Sequence, residues 1–70
     1  MSAPVDITSG VLKAHPGAVV ERRQFDGGIN YRVTIPGRVI LPPATVSVEW
    51  GDDEQRALDH LLDRITKGLR

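Results

Sequence analysis

The sequence predicts an α+β fold: a small antiparallel β-meander of three to four strands with one C-terminal amphipathic helix packed on one face. Apolar residues recur at helical spacing near the C-terminus, and they alternate with polar residues in the segments before it. Glycine and proline pairs separate the alternating segments. A helix with one apolar stripe and a sheet with one apolar face bury those surfaces against each other, which gives this architecture.

Residues 52–68 are predicted to form the helix. Asp52 suits the N-cap position, Gln55 follows three residues later as in a capping box, and Gly68 suits the helix end. Apolar residues of this segment, together with the residue that follows it, fall at helical spacing on one stripe: Leu58, Leu61, Leu62, Ile65 and Leu69.

Two segments, residues 29–35 and 45–50, have the period of two that is typical of strands with one buried face. Trp50 ends the second segment, and we expect its ring to close one end of the core. The apolar side chains predicted to share the buried face are Ile29, Tyr31, Val33, Ile35, Val46, Val48 and Trp50.

Residues 18–25 are predicted to form a first strand, joined to the next by a hairpin at Asp26-Gly27-Gly28, where the glycines accept positive φ. Two registers are open. A three-residue loop places Arg22 opposite Arg32, where two like charges repel, whereas a two-residue turn places Glu21 opposite Arg32. The first register creates a basic patch, and the second creates an ordinary cross-strand ion pair.

The remaining segments are shorter and less regular. Pro36-Gly37 is typical of the centre of a type II turn, because proline fixes φ and glycine accepts a positive φ. Residues 38–41 are a candidate fourth strand that ends at Pro42-Pro43. We expect residues 1–16 to form an irregular N-terminal arm and residues 17–70 to form a single small domain.

Length and composition restrict the functional classes. Seventy residues form one domain with a thin core, so self-association is an expected source of further stability. The chain has no cysteine, and its nine Lys and Arg residues balance nine Asp and Glu residues, which argues against strong nonspecific nucleic-acid binding. The first sixteen residues lack a basic start followed by a long apolar run, so we expect a cytoplasmic protein without a membrane segment.

No constellation of residues indicates catalysis, a cofactor or a metal site, so the protein is not expected to be an enzyme. His60 and Asp63 have the spacing of half a metal site, but the sequence contains no second half. The candidate binding residues are the polar ones of the predicted sheet and its turn: Arg22, Arg23, Arg32, Arg38, Gln24 and Asn30.

The function expected from these features is that of a small non-catalytic protein-interaction module, an accessory or regulatory protein that binds another protein and self-associates as a homodimer. Unpaired strand edges suit such a role, because a partner strand can extend them. One alternative is a nucleic-acid-binding protein that uses an arginine-bearing sheet face with Tyr31. A second alternative is a structural subunit of a larger particle, for example of a phage or another mobile element.

Overall fold

A computed structural model describes residues 6–70 and confirms the predicted meander with a C-terminal helix on one face. The elements follow the order α1 (Ile7–Ala14), β1 (Val19–Phe25), β2 (Gly28–Thr34), β3 (Ala44–Glu49) and α2 (Glu54–Gly68). The three strands form one antiparallel sheet in the order β1-β2-β3, so β1 and β3 are both edge strands. Helix α2 packs on β3 and against α1.

The β1–β2 hairpin has the two-residue turn, Asp26-Gly27, and therefore the second of the two registers. Glu21 lies opposite Arg32. The turn does not use the positive φ that we expected of its glycines, since the positive-φ glycines of residues 6–70 are Gly37 and Gly51. Gly28 is required for a different reason: a Cβ there would collide with the Val48 carbonyl oxygen of the neighbouring strand.

The connection from β2 to β3 contains the predicted type II turn but not the predicted fourth strand. The Arg38 N–H donates to the Ile35 carbonyl at 3.0 Å, and Gly37 has a φ of 79°. Residues 38–41 do not join the sheet; Ile40 instead forms an isolated bridge with Leu69 at the end of α2. The prediction of a strand was wrong because these residues pair with the C-terminus, which no local pattern specifies.

Gly68 allows the connection between β2 and β3 to approach the end of α2 closely. A Cβ on Gly68 would lie 3.0 Å from Ile40 Cγ2 and 3.1 Å from the Leu41 carbonyl oxygen. The Leu41 N–H donates to the Gly68 carbonyl at 2.8 Å, and the Arg70 N–H donates to Val39 at the same distance. The end of α2 is therefore fastened to the connection between β2 and β3.

Residues 7–14 form a helix, which differs from the irregular arm that we expected; the rest of that arm before residue 6 lies outside the described residues. Asp6 caps α1 by accepting from the Thr8 N–H at 3.1 Å. Ile7 and Val11 are fully buried, so α1 belongs to the core. Gly10 faces Leu58 of α2, and a Cβ at Gly10 would lie 2.9 Å from Leu58 Cδ1, so a small residue permits the close approach of the two helices.

Helix α2 buries the predicted stripe, and its start differs by two residues from the prediction. Asp53, not Asp52, is the N-cap, and its carboxylate accepts from the N–H groups of Gln55 and Arg56. Leu58, Leu61 and Ile65 are buried against the sheet and α1, while Leu62 and Leu69 are half-buried. The core also contains Ala18, Tyr31, Val33, Ala44 and Val48.

Trp50 does not close the core as predicted. Its side chain is 57% exposed, and its ring N–H donates to the Asp26 carbonyl at 2.9 Å. Strand β3 ends at Glu49, and residues 50 and 51 form a turn beyond it, so the Trp50 ring lies past the end of the core. The indole consequently joins the chain after β3 to the β1–β2 turn.

Candidate interaction edge of the sheet

The sheet has a helix-facing side and an outer side, and the register assigns each residue to one of them. Directly opposed residues of antiparallel strands point to the same side. Tyr31 is buried in the core, so its partner Arg22 lies on the helix-facing side. Arg32 is exposed on the outer side together with its partners Glu21 and Thr45.

The predicted binding residues therefore do not form one face. Arg23, Asn30 and Arg32 lie on the outer side, whereas Arg22 and Gln24 lie at the β1 edge of the helix-facing side. Arg38 lies in the connection before β3, where its Nε donates to the Arg70 carbonyl at 2.9 Å. Arg22, Arg23, Arg32 and Asn30 nevertheless line one shallow concavity, whereas Gln24 and Arg38 do not.

The outer side forms a shallow concavity of about 670 Å³ with both signs of charge. Arg22, Arg23 and Arg32 line it together with Glu21, and the side chains of Asn30 and Ser47 hydrogen-bond across it. Three guanidinium groups and one carboxylate give this surface an excess of positive charge.

Arg22 covers part of the core from the edge. Its guanidinium carbon lies 5.9 Å from the centroid of the Tyr31 ring on β2, within the range of a cation–π contact. The side chain therefore leans from β1 towards the middle of the sheet, away from the free edge. Gln24, on the same side of β1, is exposed.

The hydrogen bonds next to the β1–β2 turn determine which backbone groups point outward. The Trp50 N–H donates to the Gly27 carbonyl at 3.0 Å, one residue beyond the Gly28–Glu49 pair on each strand. In an antiparallel ladder such a bond flanks a pair that is not itself hydrogen-bonded. The backbone N–H and C=O of Gly28 therefore point away from β3, towards Phe25 on β1.

The same alternation leaves three residues of β1 with outward backbone groups. Because Phe25 bonds to β2, the N–H and C=O groups of Val20, Arg22 and Gln24 point away from the sheet. No described residue outside β1 hydrogen-bonds to them. All of β1 is exposed except Val20, which is half-buried. We call this row of outward backbone groups the β1 edge.

The β3 edge is shorter because a turn closes one end of it. The Glu49 N–H, which points outward, donates to the Asp52 carboxylate at 3.0 Å, and the Asp52 N–H donates back to the Glu49 carbonyl at 3.0 Å. The first turns of α2 lie beside the same edge, since Asp53, Arg56 and His60 line a groove of about 450 Å³ with Ser47. Among the described residues, the outward backbone groups of β3 without a partner are those of Thr45 and Ser47.

No group of three metal-ligating side chains occurs within residues 6–70. His60 accepts a hydrogen bond from Arg64 Nε at 3.0 Å, and the Asp63 carboxylate pairs with Lys67 at 3.1 Å, so the two residues of the half-site have other partners. In the same part of the chain no helix has the length and apolar character needed to cross a bilayer.

Comparison with protein families, curated proteins and solved structures finds no match for this chain.

Sequence reasoning identified the arginines of β1 and the presence of unpaired strand edges, but not that these arginines lie on such an edge. Val20, whose backbone belongs to that edge, and Glu21 beside it on β1 were not among the candidates. The available signal was the turn length, because a two-residue turn fixes which residues of β1 bond inward. The helical signals of α1, an N-cap at Asp6 and apolar residues at Ile7 and Val11, were also present.

Proposed function

We propose that the protein is a small non-catalytic interaction module that binds another protein by adding a strand of that partner to its β1 edge. The observation that carries the proposal is the row of outward N–H and C=O groups at Val20, Arg22 and Gln24. An extended segment of a partner can satisfy all of these groups, and alternate side chains then supply specificity. The charged side chains of β1 suit a polar partner segment.

Proline substitution tests the role of these backbone donors. Arg22→Pro removes an outward N–H without removing a bond to β2, and proline is tolerated at such positions of edge strands. Thr45→Pro is the matched control, because the Thr45 N–H points outward at the other edge. Arg22→Thr keeps the N–H and removes only the side chain.

The experiment compares partners captured from the source organism by these variants, followed by calorimetry with the purified partner. We expect the wild-type protein, Arg22→Thr and Thr45→Pro to bind the same partner, and Arg22→Pro to bind at least about tenfold more weakly, since one outward donor is lost and the strand edge is obstructed. A partner that binds Arg22→Pro as tightly as the wild-type protein contradicts the proposal, as does the absence of any specific protein partner.

A further inference from the structure

We infer that the β1 edge pairs with the β1 edge of a second copy of this chain, antiparallel and centred on Arg22. This inference rests on the proposed function only in using the same edge, for which the second copy competes with a partner strand. The pairing joins the two three-stranded sheets into one continuous sheet across a two-fold axis.

The backbone fits this register. With Arg22 on the axis, Arg22 lies opposite Arg22 of the second copy, and Val20 lies opposite Gln24. These are the residues whose N–H and C=O groups point outward, so each opposed pair exchanges two hydrogen bonds. Every outward group of the β1 edge then has a partner.

The side chains on the outer side fit the same register. Glu21 lies opposite Arg23 of the second copy, and the two-fold axis repeats this pairing of opposite charges. Val19 and Phe25, which are 47% and 40% exposed, lie opposite each other and cover apolar surface. Both pairings occupy positions without direct backbone bonds, where opposed side chains approach more closely.

Neighbouring registers lose this complementarity. Moving the axis to Glu21 places Glu21 opposite itself and Val19 opposite Arg23, and moving it to Arg23 places Arg23 opposite itself and Glu21 opposite Phe25. In both of these registers, two like charges lie opposite each other on the outer side, and a charged side chain lies opposite an apolar one. Only the register centred on Arg22 also uses all seven residues of β1 in both copies.

One contact in the inferred pair is unfavourable, and it supplies a test. Arg22 opposes Arg22 of the second copy on the helix-facing side, where like charges repel. The contact of each guanidinium with its own Tyr31 draws the charges away from the axis and reduces this repulsion. We therefore expect Arg22→Thr to tighten the dimer severalfold, whereas Arg22→Pro abolishes it.

Charge exchange tests the register directly by sedimentation equilibrium. Arg23→Glu places two carboxylates opposite each other twice, and Glu21→Arg does the same with two guanidinium groups. Each variant alone is expected to dimerise about tenfold more weakly or worse, because attraction becomes repulsion at two symmetric positions. An equimolar mixture restores opposite charges at both positions, so it is expected to recover dimerisation.

Controls separate folding from association. Glu21→Arg also places a like charge opposite Arg32 in its own chain, so circular dichroism and thermal unfolding are recorded for every variant. Thr45→Pro, at the β3 edge, is expected to leave the dimer unchanged.

Three results overturn the inference: a monomeric wild-type protein at all concentrations tested, a dimer that Arg22→Pro and Arg23→Glu both leave intact, and a mixture that recovers no association. A monomer that still binds a partner through the β1 edge contradicts this inference and leaves the proposed function standing. A β1-paired dimer that binds no other protein contradicts the proposed function and supports the inference.

Discussion

The two edges of the sheet differ in how their outward backbone groups are satisfied. At the β3 edge, Asp52 hydrogen-bonds to both backbone groups of Glu49, and the start of α2 lies alongside. At the β1 edge, no residue within the described range 6–70 covers Val20, Arg22 and Gln24 in this way. Soluble proteins commonly protect edge strands against unwanted pairing. The β1 edge is therefore the less protected of the two, and it is the edge to which we assign association.

The β3 edge is protected because α2 packs on β3. A substitution in the core beneath α2 therefore has the largest expected effect on the free energy of unfolding. Leu61 is fully buried, so Leu61→Ala is expected to lower the free energy of unfolding by about 2–5 kcal/mol. Leu12→Ala on α1 is the control, because Leu12 is 39% exposed. Urea denaturation measures both, and equal losses for the two variants would contradict the assigned core.

Gly28 links the two edges, since it pairs with Phe25 of β1 and Glu49 of β3. Gly28→Ala is expected to cost about 1–3 kcal/mol, because the added Cβ meets the Val48 carbonyl oxygen and forces the strands apart. Gly17→Ala is the matched control, since a Cβ there has no neighbour within 4 Å. Thermal unfolding that ranks Gly17→Ala as the more damaging change would contradict this packing.

Asp52 protects the β3 edge, so its removal should make the two edges more alike. Asp52→Ala is expected to lower the free energy of unfolding by about 0.5–1.5 kcal/mol through loss of the bond from the Glu49 N–H. Asp53→Ala removes the α2 N-cap at a similar cost of about 1 kcal/mol. Only Asp52→Ala is expected to accelerate hydrogen exchange of the Glu49 amide; the same acceleration in both variants would indicate fraying of α2 instead.

Amide hydrogen exchange tests the two edges in the wild-type protein, where no substitution changes the free energy of unfolding. At low concentration the amides of Val20, Arg22 and Gln24 are expected to exchange fast, and the Glu49 amide more slowly. At high concentration the three β1 amides are expected to become protected, as the inferred dimer requires. Protection that does not depend on concentration would mean that another part of the chain covers the β1 edge.

The sequence predicted most of the regular structure but not the candidate site. The period of two in β2 and β3, the stripe on α2 and the Pro36-Gly37 turn are local patterns, and all of them appear in the structure. Helix α1 was missed because Gly10 lowers helix propensity in a segment of eight residues. The close contact with Leu58 of α2 accounts for Gly10, and it joins two segments that are far apart in the sequence.

By itself, the sequence determined the spacing of the apolar residues. That spacing specified the strands β2 and β3, the helix α2 and the side of each element that is buried. Tertiary structure decided the hairpin register, the exposure of Trp50 and the pairing of Ile40 with Leu69. Side-chain periodicity is a local property of the chain, whereas the direction of a backbone hydrogen bond depends on which strand lies alongside. The unpaired β1 edge is a property of the second kind, so it became visible only in the folded chain.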